Sequence, residues 1–307
     1  MSRSPTSTLA IGIGACDLAI GTHHSRLWHA WQRMRRGHAP ASSATLPREP
    51  DAPQRGTPGA DVTFAMDEAL RFTEPGALEV LGRGLASVTG APDKQRGSPR
   101  RAFIVLDDAW AHHAILRGDF RSVRTRELGD ITLAYFADTF GLDAGAILTR
   151  WQLQRGGRAL FASAMSRSLH DGILEVSAAA HVDVKHLTVG LPECLDQVRR
   201  GVDDHKALLL VVTETLLQVV AADHGRWAAY DAQRLFADDA ADAARLVGIV
   251  DHVLERSSMR QQEDGKVYLC GLAVDPAPFQ ERFSGALQLP AFATADPPAV
   301  RLMGLAQ

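Results

Sequence analysis

Two pairs of adjacent histidines, His23-His24 and His112-His113, and the carboxylate pair Asp107-Asp108 are residue types that could hold a metal or move a proton. Adjacent residues of a strand point to opposite faces, so a histidine pair on a strand cannot bring both imidazoles to one ion. Neither pair lies in the His-Glu-x-x-His spacing of a zinc-binding helix, and structural or surface roles are expected. Asp107-Asp108 follows the apolar run Phe103 to Leu106, a place where aspartate commonly marks a turn or caps a helix. The chain contains no Gly-x-x-x-x-Gly-Lys phosphate loop and no Gly-x-Ser-x-Gly nucleophile elbow. Gly12-Ile-Gly14 lacks the third glycine of a dinucleotide fingerprint. Cys16, Cys194 and Cys270 are far apart and form no Cys-x-x-Cys pair, which argues against a zinc site or a disulfide framework and for a reducing compartment.

Composition narrows the class further. The 307 residues are 46% apolar, with a formal net charge of -3, so no global field draws the chain to nucleic acid or anionic lipid. Arginine clusters at Trp31 to Arg36, Ser98 to Arg101 and Arg121 to Arg126 have no interleaved aromatic stacking motif and read as solvated surface. The apolar run Ala207 to Ala222 is broken by Thr213, Glu214, Thr215 and Gln218, so no transmembrane segment is expected. Ile13-Gly14-Ala15-Cys16 has the look of a lipoprotein cleavage site, but Leu9 to Ala15 is short for a signal core and only Arg3 precedes it.

The elements that would position these residues form a pattern that repeats. Thr8 to Ile13, Leu18 to Gly21 and Arg26 to Gln32 read as three strands joined by tight turns. Residues 33–61, rich in proline, serine and charge, cannot bury enough apolar surface to offset an ordering cost of about 1 to 2 kcal/mol per residue, and read as a flexible insertion. A helix (Gly76 to Val88) and an apolar strand (Ala102 to Leu106) follow, then a middle region with a helix at Glu127 to Phe140 and a strand at Ile147 to Gln154. Ala159 to Met165 reads as a strand, Ser168 to Ala180 as an amphipathic helix, Lys185 to Val189 as a strand and Leu191 to Val198 as a helix. The opening pattern then returns: strands at Ala207 to Val212, Leu216 to Ala221 and Arg226 to Asp231, one long helix at Asp238 to Arg256, and a strand at Lys266 to Cys270. A last helix opens at Asp275-Pro276 with Phe279, Phe283 and Leu287 expected to face inward, and Leu289 to Phe292 closes the pattern.

Three segments carry a family resemblance: Val267 to Pro290, Phe161 to Val189, and Ile11-Gly-Ile-Gly-Ala-Cys-Asp-Leu-Ala19. The first resembles the adenosine-region strand, turn and helix of the type IV pilus assembly protein PilM. The second is similar to PilM and to the cytoplasmic domain of the type II secretion L protein. The third resembles the first phosphate hairpin of an actin-like ATPase. The resemblance implies a two-lobed α/β fold of the actin-like, ribonuclease H-like kind, with residues 1–205 as first lobe, 107–158 as an inserted subdomain and 206–307 as second lobe. It places Gly14, Ala15, Thr213, Glu214 and Gly271 around the nucleotide cleft.

Departures from the family pattern set the expected function. The hairpin position that carries aspartate in actin-like ATPases is Gly12, the second hairpin reads Val211-Val-Thr-Glu-Thr215 without its glycine, and Gly271-Leu272-Ala273 replaces a glycine run. Phosphoryl transfer depends on placed charges and amides around the phosphates, and those are missing. The expectation is a pseudo-ATPase with no cofactor, weak ATP binding and a divergent actin-like or sugar-kinase-like ATPase being the alternatives. The resemblance implies a cytoplasmic scaffold peripheral to the inner membrane, gripping the N-terminal cytoplasmic tail of a PilN-like bitopic protein. Groove residues and homodimerisation stay open, and no nucleic-acid partner is expected.

Overall fold

The structure, a computed structural model, describes residues 8–22, 62–89, 99–202, 205–236, 238–257, 259, 265–289 and 296–306. Strands β1 (Leu9–Ile13), β2 (Asp17–Thr22), β3 (Val62–Ala65) and β4 (Arg100–Leu106) begin the first sheet, with helix α1 (Glu74–Thr89) between the last two. A three-stranded sheet follows, made of β5 (Ala111–Arg117), β6 (Ile147–Leu153) and β7 (Ala159–Ser166), with α2 (Thr125–Phe140) on it. The chain then passes through α3 (Arg167–Ala179) back to the first sheet as β8 (Val182–Val189), and leaves it through α4 (Gly190–Val198).

The second large sheet is built from β9 (Ala207–Val212), β10 (Leu216–Asp223), β11 (Arg226–Arg234), β12 (Lys266–Gly271) and β13 (Ala286–Gln288). Its helices are α5 (Ala243–Arg256) and α6 (Ala277–Arg282), and α7 (Pro298–Leu305) ends the described chain. Both large sheets run in the order third, second, first, fourth, fifth strand. In each, the first strand is antiparallel to the second and parallel to the fourth: Ile11 lies opposite Ile20 and Ile104, and Leu210 opposite Val219 and Leu269. Strands covered on both faces read as continuous apolar runs, and Leu9–Ile13 and Ala207–Val212 are buried at every residue.

The covering helices explain that burial. One face of the first sheet packs Ile11, Ile13 and Leu18 against Leu81 of α1 and Ile173 of α3. Its other face packs Ala10, Ala19 and Val105 against Ala299, Leu302 and Met303 of α7. The second sheet is covered on one face by α5 and α6 through Leu246, Val250 and Phe279, and on the other by α4 through Leu191, Cys194 and Val198. A helix that follows the first sheet in sequence thus completes the second, and the last helix of the chain completes the first. Gly12 permits the latter contact, because a Cβ there would stand 2.0 Å from the Ala299 carbonyl oxygen and 2.5 Å from the Met303 nitrogen.

Several expectations change. The third strand of the first sheet is Val62–Ala65, a mostly exposed edge strand whose short run carries too weak an alternation to be read from sequence. The strand expected at Arg26 to Gln32, the insertion at 33–61 and the His23-His24 pair lie outside the described residues. An inserted unit ending at 158 would sever β7 from the sheet it centres, since β7 pairs with both β5 and β6; the unit runs on to Ser166. A second lobe of 206–307 would include α7, whose apolar face is matched by small residues of β1 and β2 instead. The helix expected from Asp238 begins at Ala243, because Asp238 is left-handed at φ 72° and Asp242 caps the helix by accepting from Arg245 N. Phe279 and Phe283 face inward as expected, but Leu287 sits on β13 and is 46% exposed.

Gly12→Ala should push α7 away from the first sheet and lower stability by about 1 to 3 kcal/mol in urea unfolding. Gly248→Ala in α5, where nothing lies within 4 Å of the new methyl, should instead add up to about 1 kcal/mol.

Candidate functional site

The carboxyl ends of β4, β8, β9 and β12 converge on a cavity of about 220 Å³ between the two large sheets, walled on one side by α7. Thr213 and Gly271 line it, as do Asp107, Asp108, Gly190 and Arg301. Gly14 and Ala15 are buried in the turn between β1 and β2 and are not among its lining residues. Glu214, at the tip of the turn between β9 and β10, reaches across to α7, where its carboxylate accepts from the Arg301 guanidinium at 2.6 Å.

Both turns use their polar groups internally. Thr213 Oγ1 accepts from the amides of Thr215 (3.4 Å) and Leu216 (3.0 Å), while Thr213 N donates to the Leu216 carbonyl. Such a hydroxyl turn occupies the amides that a phosphate would need. In the other turn Gly14 N donates to the Asp17 carbonyl, and the Asp17 side chain folds back so that a Cβ on Gly14 would stand 2.0 Å from Oδ1. Asp17 Oδ2 accepts from Ala299 N at the start of α7 (3.2 Å), and Oδ1 has no hydrogen-bond partner among the described residues. Burial raises the Asp17 carboxyl above its ordinary value against the opposing pull of the Ala299 amide, and Glu214 adds to the rise. Gly271, at φ 90°, closes the far end: its Cα approaches the end of β9 so closely that a Cβ would lie 2.1 Å from the Val212 carbonyl oxygen.

The two aspartates at the end of β4 do different work. Asp107 Oδ1 accepts from Ala109 N at 2.8 Å and caps the short turn that follows, the role read from sequence. Its carboxyl is pushed up to about 7, chiefly by burial, with Asp108, Glu214 and Asp17 adding like charge. Asp108 is a junction. Its Oδ1 accepts from Leu191 N (2.9 Å) at the start of α4 and from His113 Nε2 (2.8 Å), and its Oδ2 accepts from Gln218 Nε2 (3.0 Å) on β10. Tyr230 of β11 donates its hydroxyl to Gln218 Oε1 at 3.1 Å, and His113 Nδ1 lies 2.8 Å from Ser163 Oγ on β7.

Ser163, His113 and Asp108 have the hydrogen-bond distances of a hydrolase relay, but the arrangement is a joint. The His113 side chain is 1% exposed, stacked on Phe161 and edge-on to Tyr230, and both Asp108 oxygens hold further donors. His112 points to the other face and packs on Phe140, so the opposite-face reading of the pair holds. Cys194 and Cys270 are free and buried, and the Cys270 thiol is pushed up by its hydrogen bond with Cys194 and by burial. Among the described residues no group of three metal-ligating side chains occurs.

No family model matches the sequence, and no curated protein matches it. Solved structures do match in fold. A Bacteroides thetaiotaomicron protein described as having an actin-like ATPase fold and unknown function superposes with a TM-score of 0.56 at 10% identity, over 99% of this chain and 96% of its own. The fold is actin-like. A PilM-PilN type IV pilus biogenesis complex matches at a TM-score of 0.55 and 12% identity, over 87% of this chain and 82% of that one. The cytoplasmic domain of EpsL from the Vibrio cholerae type II secretion system matches at 0.48 and 9%, over 98% and 94%. Within the actin-like frame, the position expected to carry the first-hairpin aspartate is Gly12, and there α7 lies against the strand.

Asp17, Gln218 and Arg301 were not singled out by sequence, and Asp108 and His113 were weighed only within their pairs and read as a turn or cap signal and as a structural or surface histidine. Gln218 had a signal: it is the polar residue inside the apolar run Leu216 to Ala222, and it is fully buried. Arg301 had none.

A carboxyl with a folded value near 7 keeps its proton in the folded state where the unfolded chain has lost it. Its contribution therefore makes stability fall as pH rises from about 4 to about 7, and level off above. Asp107→Asn keeps an oxygen for Ala109 N and should flatten that fall, leaving the variant more stable than wild type at pH 8 by about 1 kcal/mol or more in urea titrations run from pH 5 to 8.

Proposed function

We propose that this chain is a non-catalytic actin-like scaffold of a type IV pilus or type II secretion-like inner-membrane assembly platform, docking the N-terminal cytoplasmic tail of a PilN-like bitopic partner. The observation that carries the non-catalytic part is the state of the cleft. Its volume of about 220 Å³ is below the roughly 300 Å³ at which small-ligand pockets begin. The amides of the second turn are held by Thr213, the mouth of the first turn by Asp17, and the Glu214–Arg301 pair ties the second turn to α7. Asp107, Asp108 and Asp296 line the cavity, and whatever negative charge they carry repels a triphosphate.

The docking part is supported by the likeness in fold to the PilM-PilN type IV pilus biogenesis complex. Among the described residues no helix is long and apolar enough to cross a membrane, which suits a role that needs a membrane-anchored partner. One observation favours the ATPase alternative: Asp107 lines the cavity and is poised near pH 7 to accept a proton.

Purified protein titrated with magnesium ATP should show no turnover, and a synthetic peptide of a PilN-like N-terminal tail should bind it saturably in a fluorescence polarisation assay. Magnesium-dependent hydrolysis abolished by Asp107→Asn would replace the scaffold with the enzyme, and absence of peptide binding would remove the assigned partner.

A further inference from the structure

We propose that a basic pocket between the three-stranded sheet and the second large sheet is a binding site for a phosphate-bearing anion. The pocket has a volume of about 640 Å³ and, among the described residues, shares no lining residue with the cleft, so it is independent of the scaffold reading. Arg155 comes to it from the turn between β6 and β7, Arg199 and His205 from the segment after α4, and His224 and Arg226 from the turn between β10 and β11, with Trp227 beside them. These residues are brought together only by the fold. Among the described residues no carboxylate lines the pocket.

A solvated charged face would be the ordinary account of five basic side chains, but three observations point to a built site. Six arginines elsewhere, Arg83, Arg121, Arg245, Arg256, Arg282 and Arg301, are paired with carboxylates. Arg155, Arg199 and Arg226 make no ion pair or side-chain hydrogen bond among the described residues, in a chain whose acids outnumber its Lys and Arg by 36 to 33. Charges of one sign are concentrated here in a concavity, whose low-dielectric walls strengthen their common field.

The walls are also fixed before any ligand arrives. Gln154 Nε2 donates to the Trp227 carbonyl (2.7 Å) while Gln154 Oε1 accepts from Trp227 N (2.8 Å), so the two turns are clamped through both groups of one amide. Arg117 Nε adds a bond to the Ala228 carbonyl at 3.0 Å. Gly156 at φ 91° and Gly225 at φ 70° make the tight turns that present Arg155 and Arg226 to the same space.

The chemistry of the walls selects the ligand. A guanidinium presents a planar fork of donors that matches two oxygens of a phosphate, and three forks around one cavity suit an anion with two or more phosphate groups. A free polyphosphate compound and the headgroups of an anionic phospholipid share that chemistry. The carboxylates that could compete are Asp223, 3.7 Å from His224 Nε2, and Asp203 and Asp204, which precede His205 in sequence and lie outside the described residues.

The test is calorimetric titration of the full chain with pyrophosphate, alongside flotation on phosphatidylglycerol and on phosphatidylcholine vesicles. The wild type is compared with R155A/R199A/R226A and with the single variant R199Q, whose side chain is exposed. Pyrophosphate should bind the wild type, less tightly as salt rises, and at least about tenfold more weakly in the triple variant, with R199Q between. Flotation on phosphatidylglycerol alone, lost in the triple variant, would support the site with lipid as its source; pyrophosphate binding without flotation would support it with a soluble source. Binding of neither probe, binding unchanged by the triple variant, or binding seen only after D203N/D204N would overturn the proposal. Magnesium ATP turnover that survives the triple variant concerns the cleft alone, so the two readings fail separately.

Discussion

A carboxylate buried at the meeting point of three sheets constrains everything around it. Asp108 cannot be left with unpaired oxygens in that interior, because an uncompensated buried charge costs several kcal/mol. Its donors come from the first turn of α4, from β5 and from β10, so the first sheet, the small sheet and the second sheet must hold one arrangement for the charge to be met. Gln218 and His113 are in turn held by Tyr230 and Ser163, which extends the same demand to β11 and β7. The positive end of the α4 backbone dipole faces this carboxylate and adds to its stabilisation.

Helix packing works in the same direction. Because α4 covers the second sheet and α7 the first, each lobe's core is finished by chain that belongs in sequence to the other. Neither sheet can close its apolar face until its crossing helix, α7 for the first and α4 for the second, is in place. The cleft is shaped by this exchange. Gly12 has no side chain because α7 rests on it, Asp17 is turned toward the α7 amide, and Glu214 is drawn to Arg301. The polar groups of the two turns are therefore engaged in holding the lobes together.

The strands and helices were largely legible because their burial is strongly periodic or continuous. Ala207–Val212 is apolar at every position and buried at every position, and Leu246, Val250 and Val253 make the stripe their spacing implies. The edge strand Val62–Ala65 was not legible, since an edge half open to solvent imposes little pattern. The site was legible only in part. Thr213, Glu214 and Gly271 were placed through the family resemblance; Thr213 closes its own turn, but what Glu214 and Gly271 do depends on Arg301 and Val212, far away in sequence.

Sequence by itself determined the order of elements, their repetition in two halves, and the absence of the usual phosphate-binding residue types, because those follow from local periodicity and residue identity. Only the tertiary structure decided which helix covers which sheet, that Asp108 joins three sheets, and that arginines at 155, 199 and 226 surround one cavity. Those are long-range outcomes. They arise from where apolar faces and buried charges find complementary partners, and no local stretch of sequence contains that information.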